Sequence, residues 1–269
     1  MKWSVLDQSP SSAGSMQDVA IRESIALAQH CDALGYERYW VSEHHNSASI
    51  VGTAPEILIA AVAATTRRIR VGSAGIMLPH YSALKVAEQF RVLEAIAPGR
   101  IDLGVGRAPG SDGLTAHALN PHSHGAEEEA LSLYRRNYRP TERHPRPQAT
   151  ICVWALAAET EAEARRLLTT RELWRTGFEK GLRLPLESPE QAAAYPYTDA
   201  ERAMIEKLRA KALVGDAAQV ADKLQALGRK LELDEIVINT WTFDAAARRH
   251  SYRLLADVFG LGVVAMHLP

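Results

Sequence analysis

Short apolar runs alternate with helical segments through the first hundred residues, and this alternation limits the possible folds more than any other feature. The connections between strand and helix are short, which predicts a parallel sheet covered by helices. The predicted strands of this part are Trp3–Leu6, Arg38–Val41, Ile69–Met77 and Ile101–Val105. The predicted helices are Val19–Leu34, a segment that begins at Pro55, and Ala83–Ile96.

The alternation stops after Arg107. Residues 108–125 combine glycines, prolines and histidines without a lasting period, which predicts a long loop, and residues 182–197 predict a second one. The whole chain then has six predicted strands, whereas a closed (β/α)8 barrel has eight. The remaining predicted elements are the strands Thr150–Leu156 and Glu235–Thr240 and the helices Glu127–Tyr138, Thr160–Leu168, Asp199–Ala212, Ala217–Leu231 and Ala245–Phe259.

The charge balance narrows the class of partner. The 269 residues include 31 Lys and Arg against 32 Asp and Glu, which argues against nucleic-acid and membrane-surface partners. No apolar run is long enough to cross a bilayer, and the first residues lack a signal-peptide pattern. The two cysteines, Cys31 and Cys152, are interpreted as buried thiols of a reducing compartment. We therefore expect one cytoplasmic domain over residues 1–269, interrupted or shortened around 108–126.

Two histidines and a carboxylate follow the second predicted strand, as Glu43, His44 and His45. The loops that follow parallel strands cluster at one end of the sheet, where active sites of such folds lie. Histidine can transfer protons near neutral pH, and a neighbouring carboxylate can fix its tautomer. The alternative is a pair of surface histidines that merely cap the strand.

A metal site is another interpretation of the histidines. The candidate ligands are His44, His45, His80, His117, His122, His124 and Asp112. Adjacent histidines on an extended segment point to opposite faces, so only one of His44 and His45 can reach a given metal. The pair His122 and His124 lies in the predicted loop. A metal-dependent hydrolase is therefore the least favoured of three candidate functions. The sequence predicts no metal site.

Four segments together resemble the luciferase-like flavin monooxygenases, the family of bacterial luciferase, whose members are (β/α)8 barrels. The similarity covers residues 1–120 and roughly 126–260. The four segments are Ser42–His45, Val71–His80, Pro98–Arg107, and Val214–Asp216 with Glu235–Asn239. The resemblance implies an FMN-dependent monooxygenase that takes reduced FMN from a separate, transiently bound reductase. It would use O2 to oxidise a small organic substrate through a flavin peroxide.

The resemblance also implies roles for individual residues. His44 is the first catalytic candidate and His45 the second, with Glu43 to orient the histidine. Ser73, Ala74 and Gly75 match the place where relatives often have a non-proline cis peptide under the flavin ring, although a tight strand end is the alternative. The cofactor-binding residues implied are Ser73, Ala74, Gly75, the apolar Met77, and Arg107 for the phosphate. A salt bridge to Asp112 is the alternative for Arg107.

The predicted fold is therefore an α/β barrel of the TIM type that lacks the region of strands five and six. In relatives this region also carries backbone and hydroxyl donors for the flavin phosphate. A non-catalytic flavin-binding protein with a shortened barrel is accordingly the second candidate function, and a deazaflavin is a less expected cofactor than FMN. The family further implies a homodimer formed through the second and third helices, where Ala60–Ala64 offers a face of small residues.

Overall fold

Parallel strands form the centre of the protein in the computed structural model, which describes residues 1–106, 127–142 and 145–262. The strands are β1 (Lys2–Asp7), β2 (Arg38–Val41), β3 (Arg70–Ser73), β4 (Ile76–Met77), β5 (Ile101–Asp102), β6 (Val105–Gly106), β7 (Thr150–Ala158), β8 (Leu213–Asp216) and β9 (Glu235–Asn239). Seven of them form one sheet in the order β5-β3-β2-β1-β9-β7-β8, and β4 pairs with β6. All of the pairings are parallel, as the alternation of strands and helices predicts.

The sheet is open among the described residues, with β5 at one edge and β8 at the other. This arrangement agrees with a TIM-type barrel that lacks two strands. The strand β8 was not predicted. The first part of β7, residues 150–154, pairs with β9. Its last four residues pair with β8.

The helices are α1 (Gln17–Leu34), α2 (Pro55–Thr65), α3 (Ala83–Ile96), α4 (Glu127–Asn137), α5 (Glu161–Glu179), α6 (Pro189–Ala194), α7 (Asp199–Arg209), α8 (Ala217–Leu231) and α9 (Ala245–Phe259). The predicted bounds of α3, α8 and α9 are confirmed. The prediction for α5 ended eleven residues early, at Leu168, because the buried face of its second half carries polar residues. One of these, Glu172, is paired with Arg209 of α7 at 2.6 and 2.8 Å. Helix α6 lies inside the segment predicted to be a loop.

One face of the sheet packs against helices α1, α2, α8 and α9. Alternate strand residues such as Val5, Tyr39, Val71 and Ile238 are fully buried there. Cys31 of α1 is buried in the same layer, as predicted, and burial raises its pKa. Cys152 is exposed instead of buried. It lies on the other face of β7, two residues before the point where the strand changes partners.

The opposite face, here called the inner face, carries charged side chains at the N-terminal ends of the strands. Asp102 accepts from Arg38 at 3.0 Å and from Arg70 at 2.6 and 2.8 Å, and Glu235 binds Arg38 and Ser4. Burial favours the neutral form of Asp102, but the two arginines more than offset this effect and lower its pKa. Through these side-chain hydrogen bonds the cluster connects five strands, namely β1, β2, β3, β5 and β9.

The small-residue segment Ala60–Ala64 is partly exposed, with Ala64 exposed and Ala60 and Ala61 half-buried. Val62 and Ala63 are buried within the subunit, since α2 packs on the sheet and on α3. The exposed large apolar residues of these helices are Ile57, Leu84, Val92 and Ile96. No helix within the described ranges combines the length and apolarity that a membrane span requires.

Candidate active site

The C-terminal ends of β2 and β3 lie side by side, because Val41 and Ser73 are paired in register. The chain after β2 forms a loop that returns at Gly52, whose carbonyl oxygen accepts from the amide of His44 at 2.9 Å. The chain after β3 makes a short break before β4. The predicted residues Glu43, His44, His45, Ser73, Ala74, Gly75 and Met77 all lie on these two segments. The structure therefore brings them to one end of the sheet.

Glu43 is a buried carboxylate with three hydrogen-bond donors. It accepts from the amide of Met77 at 2.8 Å, from the hydroxyl of Tyr81 at 2.8 Å and from Nε2 of His45 at 2.6 Å. Buried carboxylates are stable when such donors replace water. Glu43 thus connects the loop after β2 to β4 and to the turn that follows β4. Its role is to position these segments.

His44 is held by a different residue. Its Nδ1 lies 3.1 Å from the hydroxyl of Ser42, and Glu43 contacts His45 instead. The prediction that Glu43 orients the catalytic histidine therefore applies to His45 and not to His44. The reason is the alternation along an extended segment, which places Ser42 and His44 on one face and Glu43 and His45 on the other.

The surroundings of His44 favour its neutral form. Burial and, to a smaller extent, the nearby His45 lower the pKa of His44, while Glu43 acts in the opposite direction. Within the described ranges the other ring nitrogen, Nε2, has no hydrogen-bond partner. A half-buried neutral imidazole with one nitrogen held by a hydroxyl can accept or donate a proton at the other nitrogen.

His45 and His80 form a second pair of rings next to Glu43. Their ring centroids are 5.4 Å apart, and His80 is exposed. The hydroxyl of Tyr81, bonded to Glu43, has a raised pKa because of burial and of that carboxylate. His45 is thereby part of a hydrogen-bonded group whose centre is Glu43.

The peptide bond between Ala74 and Gly75 is cis, at the position that the family resemblance implies. It is held by hydrogen bonds on both sides, from the amide of Ala74 to Val41 at 2.7 Å and from the amide of Ile76 to Gly104 at 2.9 Å. Ala74 is exposed. The segment therefore presents a bare peptide plane at the end of the strands.

Ser73 and Met77, two predicted cofactor-binding residues, each make hydrogen bonds within the site. The hydroxyl of Ser73 is occupied by Gly104, donating to its carbonyl oxygen at 2.7 Å and accepting from its amide at 3.1 Å. Gly104 lies between β5 and β6, and the Ala74–Gly75 peptide lies between β3 and β4. Met77 is buried, and its amide is bonded to Glu43. Whether either residue contacts a cofactor remains a prediction.

The site fits the ring of a flavin. A planar ring needs a flat surface that side chains leave free, and the exposed Ala74–Gly75 peptide is such a surface. The close approach of Gly104 explains why residue 75 is glycine, because a Cβ there would lie 2.9 Å from the Gly104 carbonyl carbon. Arg107, the predicted phosphate ligand, lies outside the described residues. The predicted role of Arg107 is therefore neither supported nor opposed.

Metal ligands are not grouped in the described part of the chain, where no three His, Cys, Asp or Glu side chains lie close enough to hold an ion. His117, His122, His124 and Asp112, the other candidate ligands, lie outside the described residues.

Ser42 and Tyr81 are site residues that the sequence reasoning missed. Ser42 could have been found from its position two residues before His44 in an extended segment, which places both on one face. Tyr81 had no such signal. It reaches Glu43 only because residues 78–80 form a 3₁₀ turn that directs the next residue back across the strand ends.

Comparisons with known proteins agree with this geometry. A family model described as luciferase-like monooxygenase matches residues 1–136. The uncharacterised protein YwcH of Bacillus subtilis is 35% identical to this chain, covering 95% of it and 98% of YwcH. The N-acetyl-S-alkylcysteine monooxygenase of the same organism is 31% identical, covering 96% of this chain and 98% of the relative.

The alignment with YwcH extends over 329 positions, more than the 269 residues of this chain. The relative therefore contains residues that have no counterpart here, in agreement with the missing barrel region.

Two solved structures are similar over nearly their whole length. Apo-MsnO8 has a TM-score of 0.84 and 31% identity, with 97% of this chain and 98% of that chain covered. The oxygenating constituent of 3,6-diketocamphane monooxygenase from Pseudomonas putida, solved in complex with FMN, has a TM-score of 0.65 and 16% identity. It covers 95% of this chain and 96% of its own, and this second likeness concerns the fold alone.

Proposed function

This chain belongs to the luciferase-like monooxygenase family, and we propose that it is a flavin-dependent monooxygenase that oxidises a small organic substrate with reduced FMN and O2. The observation that carries the proposal is the pairing of two features at adjacent strand ends. One is the exposed Ala74–Gly75 peptide, and the other is His44, whose Nε2 has no hydrogen-bond partner within the described ranges. The first suits a planar ring, and the second suits proton transfer.

A bound reduced flavin would supply two electrons, so that one atom of O2 goes to the substrate and the other leaves as water. The chain's own residues would bind and orient. Ser42 holds His44 so that Nε2 can accept or donate a proton in the site. Glu43 keeps the loop after β2 against Met77 and Tyr81, and the buried apolar residues Ile76 and Met77 keep water from that side.

Two measurements test the proposal together. The purified protein should bind reduced FMN at micromolar concentration. With an organic substrate, it should form an oxygenated product that requires both reduced FMN and O2. Because the substrate of this chain is unidentified, the probe is an N-acetyl-S-alkylcysteine, the substrate class in the name of the Bacillus subtilis relative. Absence of binding by reduced and oxidised FMN, and by a deazaflavin, contradicts the proposal.

The open sheet favours one alternative. A barrel that lacks two strands exposes strand edges, and the relative YwcH contains residues that this chain lacks. The chain would then be a flavin-binding protein without turnover. Tight flavin binding, with O2 consumption no faster than that of free reduced flavin, supports this alternative. Product formation above that background excludes it.

The proposed partners follow from the same function. Reduced FMN would come from a separate reductase that binds transiently. The protein would form a homodimer through α2 and α3, whose exposed apolar residues are Ile57, Leu84, Val92 and Ile96. Light scattering on a sizing column tests the dimer. Leu84→Glu should produce monomers, and a monomeric parent protein contradicts the proposal.

A further inference from the structure

Several buried polar atoms around β7, β9 and α5, in the other half of the sheet, lack hydrogen-bond partners among the described residues. Among the described residues, six buried side-chain polar atoms lack a partner. Four of them are Nε1 of Trp154, Trp174 and Trp241 and Oδ1 of Asn239. Each such atom costs about 1–3 kcal/mol when nothing replaces its water. Their concentration in one place therefore requires an explanation.

These four residues lie on β7 and α5, at the end of β9, and just after β9. Trp154 and Asn239 are register partners in adjacent parallel strands, so their side chains project to the same side. Trp241 follows Asn239 by two residues, and its ring meets Trp174 edge-on with centroids 4.6 Å apart. The amide nitrogen of Asn239 is already bonded to Gln8 at 2.6 Å, which leaves its oxygen as the unused atom.

An arginine without a carboxylate partner adjoins them. The guanidinium of Arg171 on α5 lies 4.2 Å from the centre of the Trp154 ring. Within the described ranges it has neither an ion pair nor a hydrogen bond. Its neighbour Glu172 is occupied by Arg209, and Arg175 is paired with Glu179. Burial, and secondarily the charge of Arg175, lower the pKa of Arg171 to about 10.

The donors define the chemistry of a ligand. The unsatisfied groups are three indole N–H donors, one guanidinium and a single acceptor, so a ligand that satisfies them must supply mainly acceptors and negative charge. A planar guanidinium matches a carboxylate with two parallel hydrogen bonds. The indole faces would contact an apolar body, and Asn239 could accept from one N–H of the ligand. A half-buried cation without an ion pair is less stable than a paired one, and a bound anion would supply that pair.

We propose that Trp154, Arg171, Trp174, Asn239 and Trp241, here called the indole–arginine cluster, bind the carboxylate and apolar body of an anionic substrate. This inference rests on the proposed monooxygenase function, because it assigns the substrate class of that enzyme. The cluster is joined to the loop of His44 through Ile50, which packs in one buried group with Trp241 and Leu186.

The first test measures binding without flavin. Quenching of tryptophan fluorescence in the flavin-free protein reports binding of N-acetyl-S-benzylcysteine and of its primary amide, which differ only in charge at the carboxyl group. The acid should bind about tenfold more tightly than the amide, because a charged pair adds on the order of 1.4 kcal/mol. Arg171→Gln should abolish this preference. The matched control Arg175→Gln, one turn further along α5, should retain it.

Trp241→Phe keeps a ring in the cluster and removes one N–H, and it should weaken binding of the acid several-fold without affecting the amide. This variant keeps the test decisive if Arg171→Gln does not fold. Equal binding of acid and amide by the parent protein, no saturable quenching by either, or an equal loss in both arginine variants overturns the inference.

A second anion, the phosphate of FMN, could use the same cation, and a separate comparison distinguishes it. Riboflavin lacks the phosphate. If Arg171→Gln weakens FMN but not riboflavin, and leaves the acid unaffected, the cluster binds the cofactor phosphate and the substrate assignment is wrong. Flavin binding with no preference for the acid overturns this inference alone. An acid preference without flavin binding leaves the anion site in place and contradicts the monooxygenase function.

Discussion

The strand pair β2 and β3 and the strand pair β7 and β9 differ in how their buried polar atoms are satisfied. At the first pair, the carboxylate of Glu43 accepts three hydrogen bonds and the hydroxyl of Ser73 makes two. At the second pair, three indole donors and one amide oxygen have no partner among the described residues. Ser73 ends β3 and Asn239 ends β9, whereas Trp154 lies in the middle of β7.

This difference suggests two functions, which are positioning of catalytic groups in the first region and ligand recognition in the second. Groups that already hold one another are fixed before any ligand arrives, which suits positioning for chemistry. Groups left without partners reduce stability until a ligand satisfies them, which suits recognition. We therefore expect substitutions at the first region to lower turnover or stability, and substitutions at the second to change substrate affinity.

The largest effect should come from His44. His44→Ala removes the imidazole that Ser42 holds, and turnover should fall by about 100-fold or more, the usual loss for a general acid or base. Binding of the acid probe at the indole–arginine cluster should be unchanged. Steady-state product formation and fluorescence titration measure the two quantities. A variant that retains full turnover would contradict the role of His44 in the chemistry.

Gly104→Ala should destabilise the fold at the first region. A Cβ at Gly104 would lie 2.1 Å from the carbonyl oxygen of Ser73, so backbone must move. Overpacking of this kind costs about 1–3 kcal/mol. Gly106→Ala is the matched control, since its nearest contact would be an ordinary 3.6 Å. Urea unfolding compares them. Equal midpoints would contradict the contact between Ser73 and Gly104.

Ser42→Ala should have a moderate effect that depends on His44. Loss of one hydrogen bond of about 1 kcal/mol should reduce turnover roughly five- to tenfold. If Ser42 acts by holding His44, the same substitution in the His44→Ala background should cause no further loss. Additive losses in this double-mutant cycle would assign Ser42 a separate role.

The smallest effect concerns pH. The folded state lowers the pKa of His44, so the unfolded state binds its proton more tightly. The contribution of His44 to stability is therefore present above the unfolded-state pKa of about 6.5 and decreases as the pH falls below it. His44→Gln should lose less stability than the parent between pH 8 and pH 5. His30, whose pKa burial also lowers, remains in both proteins and accounts for part of the decrease. Identical pH profiles would show that burial of His44 does not influence stability.

The sequence predicted those features that depend on local pattern. Helix α3 and the ends of α8 and α9 follow from apolar spacing and capping, and the location of Glu43, His44 and His45 follows from the strand before them. The break in β3 and the end of α5 depend instead on partners distant in sequence, Gly104 for Ser73 and Arg209 for Glu172. The periodicity of a local sequence segment cannot predict partners that are distant in the chain.

The indole–arginine cluster could not be predicted for the same reason. Trp154 and Asn239 are 85 positions apart in the chain and become neighbours only through the register of β7 on β9. Arg171 reaches Trp154 only because α5 continues past the predicted end at Leu168. Three tryptophans scattered along the sequence gave no indication that their N–H groups would meet.

The central claim is that a flavin ring lies on the Ala74–Gly75 peptide, and a titration with reduced FMN tests it most directly. Ala74 is exposed, so Ala74→Phe adds a bulky ring at this surface with little effect on packing. The account predicts micromolar binding by the parent protein, binding weakened by about tenfold or more in Ala74→Phe, and equal melting temperatures. No binding by the parent protein, or equal affinity in both proteins, would contradict it.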